Sequence, residues 1–256
     1  MTRRLLNRSR QQEREEQSRL QDRVMRSFER SIRQDIAGVM ESMLDGFERT
    51  GNVRPDDAHA KRVRDALRSD YLATIQVFSN RILDAAEKRA IGPRDAKANG
   101  DDLVERILQD FIAARGLDKI SSDIAGSTLE QVRRAVARGR DEGLGSQQIA
   151  DRVRSDVPQL ARARAGMIAR TETHSAANYA QDQAAKELGL PMRKEWIAAP
   201  AEGEFRPEHQ AADGETVAMG ASFTVMGEAL EYPGDPSGSA GNIINCRCAT
   251  GHIVDD

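Results

Sequence analysis

The sequence predicts a mainly α N-terminal region of long amphipathic helices, followed by a small α+β module at the C-terminal end. Apolar residues recur at spacings of three and four from Gln11 to about Asp182, the period of helices with one buried face. After Gly189 the chain changes to short segments rich in β-forming residues, separated by Gly, Pro and Asp turns. Aromatic residues make up 4% of the chain and charged residues 31%, which indicates solvated helix faces rather than one large core.

The first helix is predicted by one apolar stripe and by the glycine that ends it. Gly51 suits the left-handed conformation that terminates helices, and Pro55 with the two aspartates after it suits the first turn of a second helix. A break follows residue 90, and Asp101 can cap a third helix. The stripe consists of Val24, Phe28, Ile32, Ile36, Val39, Met43 and Phe47. A narrow stripe on a charged helix is typical of a bundle surface or a partner surface.

Two further helix starts are predicted downstream. Ser127 and Glu130 have the spacing of a capping box, ahead of a helix that would end near Gly143. Ser146 can cap a short helix, and another helix would then carry "ARTETHSAANYA", residues 169–180. The strands predicted after it lie in "MRKEWIAA", "ETVAM", "SFTVM" and "NIINCRCATGHI".

The two cysteines, Cys246 and Cys248, stand one residue apart in the last of these segments. In an extended strand they would project from one face with Cα atoms about 6.6 Å apart, which is unfavourable for a disulfide. Three interpretations remain open. The cysteines are two small buried side chains, a reactive nucleophile, or a pair of thiolates for one zinc ion.

A zinc site needs further ligands, and three histidines lie in the C-terminal part of the chain. His209, in "RPEHQAADG", is the candidate that we favour to join the cysteines. His174, on the predicted entry helix, and His252, just after the cysteines, are weaker candidates.

A second set of polar residues is interpreted as structural: Arg170, Glu172, Asn178 and Arg206. Glu172 and Asn178 are predicted to tie the entry helix to the strands through buried hydrogen bonds. The alternative makes Glu172 a general base beside His209.

The charge distribution is uneven, although the formal net charge is only −3. Residues 1–34 carry ten arginines against five acidic residues, whereas residues 199–237 carry eight acidic residues against one arginine. A basic N-terminal arm can contact nucleic acid or an acidic partner. No apolar run reaches the roughly 18 residues of a membrane span, and two cysteines without disulfide geometry fit assembly in a reducing cytoplasm.

The order of these motifs resembles the phage Mu F-like head morphogenesis family of minor capsid proteins. The resemblance covers about residues 127–252 and is strongest over 165–249. It is carried by the Arg-Thr-Glu helix, the Arg-x-x-His turn at Arg206 and His209, the Tyr-Pro-Gly-Asp loop and the terminal Asn-Cys-Arg-Cys. Members of the family usually have an Asp-x-Arg-x-Arg pattern before the histidine, and "AEGEFRPEH" retains only the later arginine.

The resemblance implies a structural role in the virion of a tailed phage or prophage. Such a protein would associate with the portal, and with scaffold or major capsid protein, in the capsid interior or at the portal vertex, after assembly in the host cytoplasm. It would act in head assembly and in DNA packaging or ejection, with the arginine-rich arm touching packaged DNA. The implied organisation is a helical region over 1–120 and a head morphogenesis domain over 121–256, with a helical lead-in over 121–188 and the α+β module over 165–256. The alternative function is a virion-packaged enzyme, nucleotide-transforming or hydrolytic, that uses Glu172, His209 and the cysteines.

Overall fold

The computed structural model describes residues 3–6, 8–55, 58–89, 91, 100–200 and 205–255. In chain order the elements are β1 (Arg3–Arg4), α1 (Arg10–Thr50), α2 (His59–Lys88), α3 (Gly100–Arg115), α4 (Leu117–Asp141), α5 (Ser146–Glu187), β2 (Met192–Ile197), α6 (Pro207–Ala211), β3 (Thr216–Ala218), β4 (Phe223–Val225), β5 (Glu228–Leu230), α7 (Ala240–Ile243) and β6 (Ala249–Val254). The predicted fold class, long helices followed by a small α+β module, is confirmed. Among the described helices, none combines the length and the apolar composition of a membrane span.

The chain packs into two compact units. The mixed unit comprises Met1–Met25, Asp70–Ala114 and Arg170–Asp256, and the helical unit comprises Arg26–Ser69 and Arg115–Ala169. Helices α1, α2 and α5 each contribute one part to each unit. The domain boundary near residue 120 stays a prediction.

The apolar stripe of α1 provides much of the core of the helical unit. Its residues Ile32, Ile36 and Val39 are fully buried there, together with Leu44 of the same helix and with Val63 and Leu67 of α2. Helices α4 and α5 approach closely at Gly139, where an added Cβ would lie 2.7 Å from the side chain of Ile149. The stripe is therefore used for packing inside the bundle.

The predicted helix boundaries hold best where glycine ends a helix. Helix α1 ends at Thr50, and Gly51 has a φ of 70°. Helix α2 begins at His59, so Pro55 lies outside it; the aspartates 56 and 57 lie outside the described residues. Helix α3 begins at Gly100, with Asp101 in its first turn.

Two predicted helix boundaries are wrong. Ser127 lies inside α4, where its hydroxyl donates to the carbonyl of Asp123, so it does not cap a helix. Helix α5 is one element with Pro158 in its interior. Pro158 is exposed, whereas Val157 and Ala161 beside it are buried, so the helix keeps one apolar face through the proline.

The mixed unit is built around a four-stranded antiparallel sheet of order β1-β6-β2-β3. Strands β4 and β5 form a separate hairpin. Its turn residues, Met226 and Gly227, have φ of 54° and 75°, which is the positive φ that tight hairpin turns require. The sequence did not indicate β1 or β5.

Arg4 and Arg10, two of the arginines predicted to form a basic arm, take part in internal ion pairs of the mixed unit. The guanidinium of Arg4 contacts both Glu13 and Glu195, and Nε of Arg10 lies 2.9 Å from Glu195. Burial raises the pKa of Glu13, and the contact with Arg4 opposes that effect. The first residues are thus an edge strand and an ion-paired helix start.

The segment around the cysteines is not the single strand that the sequence predicted. Residues Ala240–Ile243 form α7, and β6 begins only at Ala249. Asn245, between them, has a φ of 62°, a left-handed conformation that interrupts an extended chain. The cysteines therefore lie in a bend ahead of the strand.

Candidate metal centre

Two arginines hold the bend that carries the cysteines. Arg206 donates to the carbonyl of Gly241, at 2.8 Å, and also to the carbonyl of Ile244. Arg170 donates to the side-chain oxygen of Asn245. The backbone N–H of Asn245 donates to the hydroxyl of Thr171, at 3.1 Å. These contacts attach the bend to α5 on one side and to the start of α6 on the other.

The bend brings both thiols to one nitrogen of His209. Nδ1 of His209 lies 3.4 Å from Sγ of Cys248 and 3.7 Å from Sγ of Cys246. The three ligand atoms all lie within 4.8 Å of one another, and all three residues are buried. Both thiols are free. The contact with Cys248 lowers the pKa of Cys246, and the same contact together with burial raises the pKa of Cys248.

The other nitrogen of His209 is held by Asn242. Nε2 of His209 lies 3.0 Å from Oδ1 of Asn242. The Asn242 amide nitrogen donates to the carbonyl of Val225 at 3.1 Å and to Oε2 of Glu228 at 2.8 Å. Because both of those partners are acceptors, the asparagine oxygen faces the histidine, and Nε2 of His209 carries the proton. The sequence analysis missed Asn242, although it begins the same "NIINCRC" motif.

An apolar shell surrounds the cluster. The cysteines pack in a core with Trp196 and Phe223, and the rings of Trp196 and His209 meet edge to face at 5.7 Å. This surrounding also fits the simplest interpretation, in which the cysteines are buried packing residues. The cluster can therefore hold a thiol–imidazole hydrogen bond or a thiophilic metal ion.

The structure places Asn178 and Glu172 in different hydrogen-bond networks. Asn178 accepts from the backbone N–H of Thr250 at 3.2 Å and donates to the carbonyl of Cys248 at 3.3 Å, so it joins α5 to β6. Glu172 accepts a hydrogen bond from the hydroxyl of Tyr71 on α2, at 2.7 Å. Glu172 is not one of the three clustered residues.

His174 and His252 also lie outside the three clustered residues. His174 lies between Gln21 and Asn178, at 3.2 Å and 3.1 Å, and burial lowers its pKa to about 4. His252 is buried in β6, and burial lowers its pKa to about 3. Both are neutral histidines of the interior.

The Tyr-Pro-Gly-Asp loop contacts the same part of α5. The carbonyl of Gly234 accepts from the hydroxyl of Ser175 at 2.7 Å. Gly234 has a φ of 84°, and an added Cβ would lie 3.0 Å from His174 and 3.2 Å from Ser175. Glycine is required there because the loop backbone lies directly on the helix.

A cleft of about 370 Å³ in the mixed unit reaches Cys246. Its lining includes four arginines: Arg14, Arg19, Arg170 and Arg247. No local pattern in the sequence singles out Arg14, Arg19 and Arg247, because they are far apart in the chain from one another or from Arg170.

Comparison with known proteins finds a similarity to one protein family. Residues 130–251 match the family described as Phage Mu protein F like protein. Over this segment, a little under half of the chain, the protein is similar to the Mu F-like family. The segment includes His209, both cysteines and the residues that hold them.

Three curated relatives match a similar share of the chain. Minor head protein GP7 of Bacillus phage SPP1 is 31% identical over 159 residues, which are 60% of this chain and 50% of that protein. The NAD(+)--arginine ADP-ribosyltransferase EFV of Enterococcus faecalis is 29% identical over 60% of this chain and 32% of its own length. The protein YqbB of Bacillus subtilis is 26% identical over 54% of this chain and 46% of its own length. The chain spans half or less of the length of these relatives, and no solved structure matches it.

Proposed function

We propose that this protein is a minor head protein of a tailed phage or prophage, which associates with the portal and acts in head assembly. The observation that carries the proposal is the Mu F-like match over residues 130–251, together with the 31% identity to a phage minor head protein. The buried stripe of α1 adds a constraint. Because that apolar face is used inside the helical unit, partners would meet polar outer faces of its helices.

Incorporation into heads tests this proposal directly. The gene would be deleted from a phage or prophage that encodes it, and heads would be purified by sedimentation and examined by mass spectrometry and electron microscopy. We expect the protein in wild-type heads at a copy number well below that of the major capsid protein. We expect the deletion to reduce infectious titre or to yield misassembled heads. Normal heads and normal infectivity without the protein would contradict a head function.

Portal association is tested by co-expression with the portal protein from the same genome. Co-elution on size exclusion and a defined mass in native mass spectrometry are expected. The major capsid protein, co-expressed in the same way, is the matched control. Equal retention by both proteins, or by neither, would contradict a portal-specific contact.

Contact with packaged DNA is proposed through the exposed arginines of α1 rather than through the ion-paired N-terminus. Arg26 and Arg30 are one helical turn apart and exposed, and neither has an ion pair among the described residues. Arginines that neutralise phosphates make binding fall steeply with salt.

The variant Arg26→Gln/Arg30→Gln tests this contact, with Arg134→Gln/Arg138→Gln on α4 as a control that removes the same charge. We expect the first variant to reduce the slope of log affinity against log salt by about 2, and the control to change it less. Salt-insensitive binding, or equal effects of the two variants, would contradict a contact through α1.

A further inference from the structure

We propose that Nδ1 of His209 and the Sγ atoms of Cys246 and Cys248 bind one zinc ion, which pins α6 to the bend ahead of β6. A tetrahedral zinc ion with bonds of about 2.0–2.3 Å places its ligand atoms about 3.5–3.8 Å apart. The nitrogen–sulfur distances of 3.4 Å and 3.7 Å are close to those edges. Nδ1 of His209 thus already stands at about the distance from each sulfur that a shared zinc ion would impose.

The tautomer of His209 supports coordination. Metal-binding histidines commonly donate their other ring N–H to a carbonyl or carboxylate oxygen, which orients the ring and raises its basicity. Asn242 provides such an oxygen, at 3.0 Å from Nε2. The lone pair of Nδ1 is therefore directed at the two sulfurs, and the hydrogen bond from Nε2 to Asn242 fixes the imidazole ring.

The chemistry of the donors selects the metal. Two thiolates and one imidazole favour zinc over magnesium or calcium, which prefer oxygen ligands. Among the described residues the cluster offers three ligands, and a fourth position remains. Cys246 also lines the cleft, from which a water molecule can occupy that position.

The architecture gives such an ion a structural role. Helix α6 has five residues, too few to be stable alone, and His209 is 37 residues from Cys246 in the chain. A zinc ion would join these two short segments across that distance, and its binding free energy would add to the stability of the mixed unit.

The test uses the full chain, purified without a histidine tag from cells supplied with zinc. Elemental analysis is expected to give about one zinc per chain, in keeping with a single site of three protein ligands. After chelation, Co²⁺ should produce thiolate charge-transfer bands and the visible bands of a tetrahedral ion. Zinc, but not magnesium, should restore the unfolding temperature that chelation lowers. Protein that has negligible zinc, gives no cobalt spectrum and keeps two titratable thiols would overturn the proposal.

Variants assign the ligands. His209→Gln and Cys248→Ser should each lose the cobalt spectrum and most of the bound zinc, whereas His174→Gln and His252→Gln should retain both. Zinc retained at unchanged affinity in His209→Gln, or lost in folded His174→Gln, would overturn the assignment. If a cysteine variant does not fold, the cobalt titration of the chelated wild-type protein still decides whether thiolates bind.

Asn242 is the positioning residue, and Asn242→Ala tests the orientation of the ring. We expect zinc affinity, measured by chelator competition, to fall about 10–100-fold, with a changed cobalt spectrum. Glu228→Gln, which keeps an acceptor for the Asn242 amide, is the control and should retain the affinity. Unchanged affinity and spectrum in Asn242→Ala would contradict a role in ligation.

Discussion

The two units bury different kinds of side chain. In the helical unit the core consists of aliphatic and aromatic residues, and the buried polar residues that the structure describes there are His59, Ser121 and Thr128. The mixed unit also buries charged and amide side chains, among them Asp182 and Lys194. The helical unit thus depends on apolar burial, whereas the mixed unit depends in addition on polar pairs between distant segments.

This difference sets how each unit should respond to mutation. A buried charge that loses its partner keeps its desolvation cost. Removing one member of a buried polar pair should therefore strongly lower the free energy of unfolding. Truncating a buried apolar side chain instead loses the transfer free energy of the removed atoms and leaves a cavity.

Asp182→Ala should cause the largest loss. Asp182 lies 3.4 Å from the ammonium of Lys194, both side chains are fully buried, and burial raises the pKa of Asp182. Removing the carboxylate leaves Lys194 buried without its charge partner, which costs about 3–5 kcal/mol of unfolding free energy in chemical denaturation. The double variant Asp182→Leu/Lys194→Met should recover most of the loss. A single variant less than about 1 kcal/mol below wild type would contradict the contrast.

Leu44→Ala should destabilise the helical unit by about 3 kcal/mol, since Leu44 is fully buried and the change leaves a cavity. Denaturant unfolding measures the loss, and hydrogen exchange would locate it in the helical unit. Leu72→Ala, the same substitution at a position of the mixed unit that is 38% exposed, is the control and should have a much smaller effect. Equal effects at the two positions would contradict the burial of Leu44 in the core.

His252 should make the mixed unit sensitive to acid. Its pKa is about 3 in the fold against 6.5 in the unfolded chain, because of burial and the neighbouring Lys194. Between these values the unfolded chain binds a proton that the folded chain excludes, so the free energy of unfolding falls as the pH falls. Between pH 6.5 and pH 4.5 the free energy of unfolding should fall by about 2–3 kcal/mol. His252→Gln should flatten the pH profile over that range, and an unchanged profile would contradict this origin.

Arg154→Gln should have the smallest effect. Arg154 forms ion pairs with Asp45 at 2.6 Å and Glu48 at 2.7 Å on the surface of the helical unit. Exposed pairs contribute little, and salt screens them. We expect a small decrease in unfolding temperature at low salt that disappears at high salt. A large decrease that persists in high salt would show that this unit also depends on charge pairing.

The helices could be predicted from local pattern, and the site could be predicted only in part. The stripe of α1 and the stop at Gly51 follow from spacing and from backbone conformation, which neighbouring residues determine. His209 and the cysteines were selected by residue type, and the structure brings them together. Asn242 was missed because its role depends on where Val225 and Glu228 lie. The bend at Asn245 was missed because the apolar residues before it favour a strand.

By itself the sequence determined the helical period, the change to short strands after Gly189 and the motif order of the Mu F-like family, since each is written in residues close together in the chain. Tertiary structure alone decided that Arg4 and Arg10 are ion-paired, that α1 buries its stripe within the bundle, and that His209 faces two sulfurs. The physical reason is that a buried charge or ligand is tolerated only beside its partner, and those partners lie tens to nearly two hundred residues away.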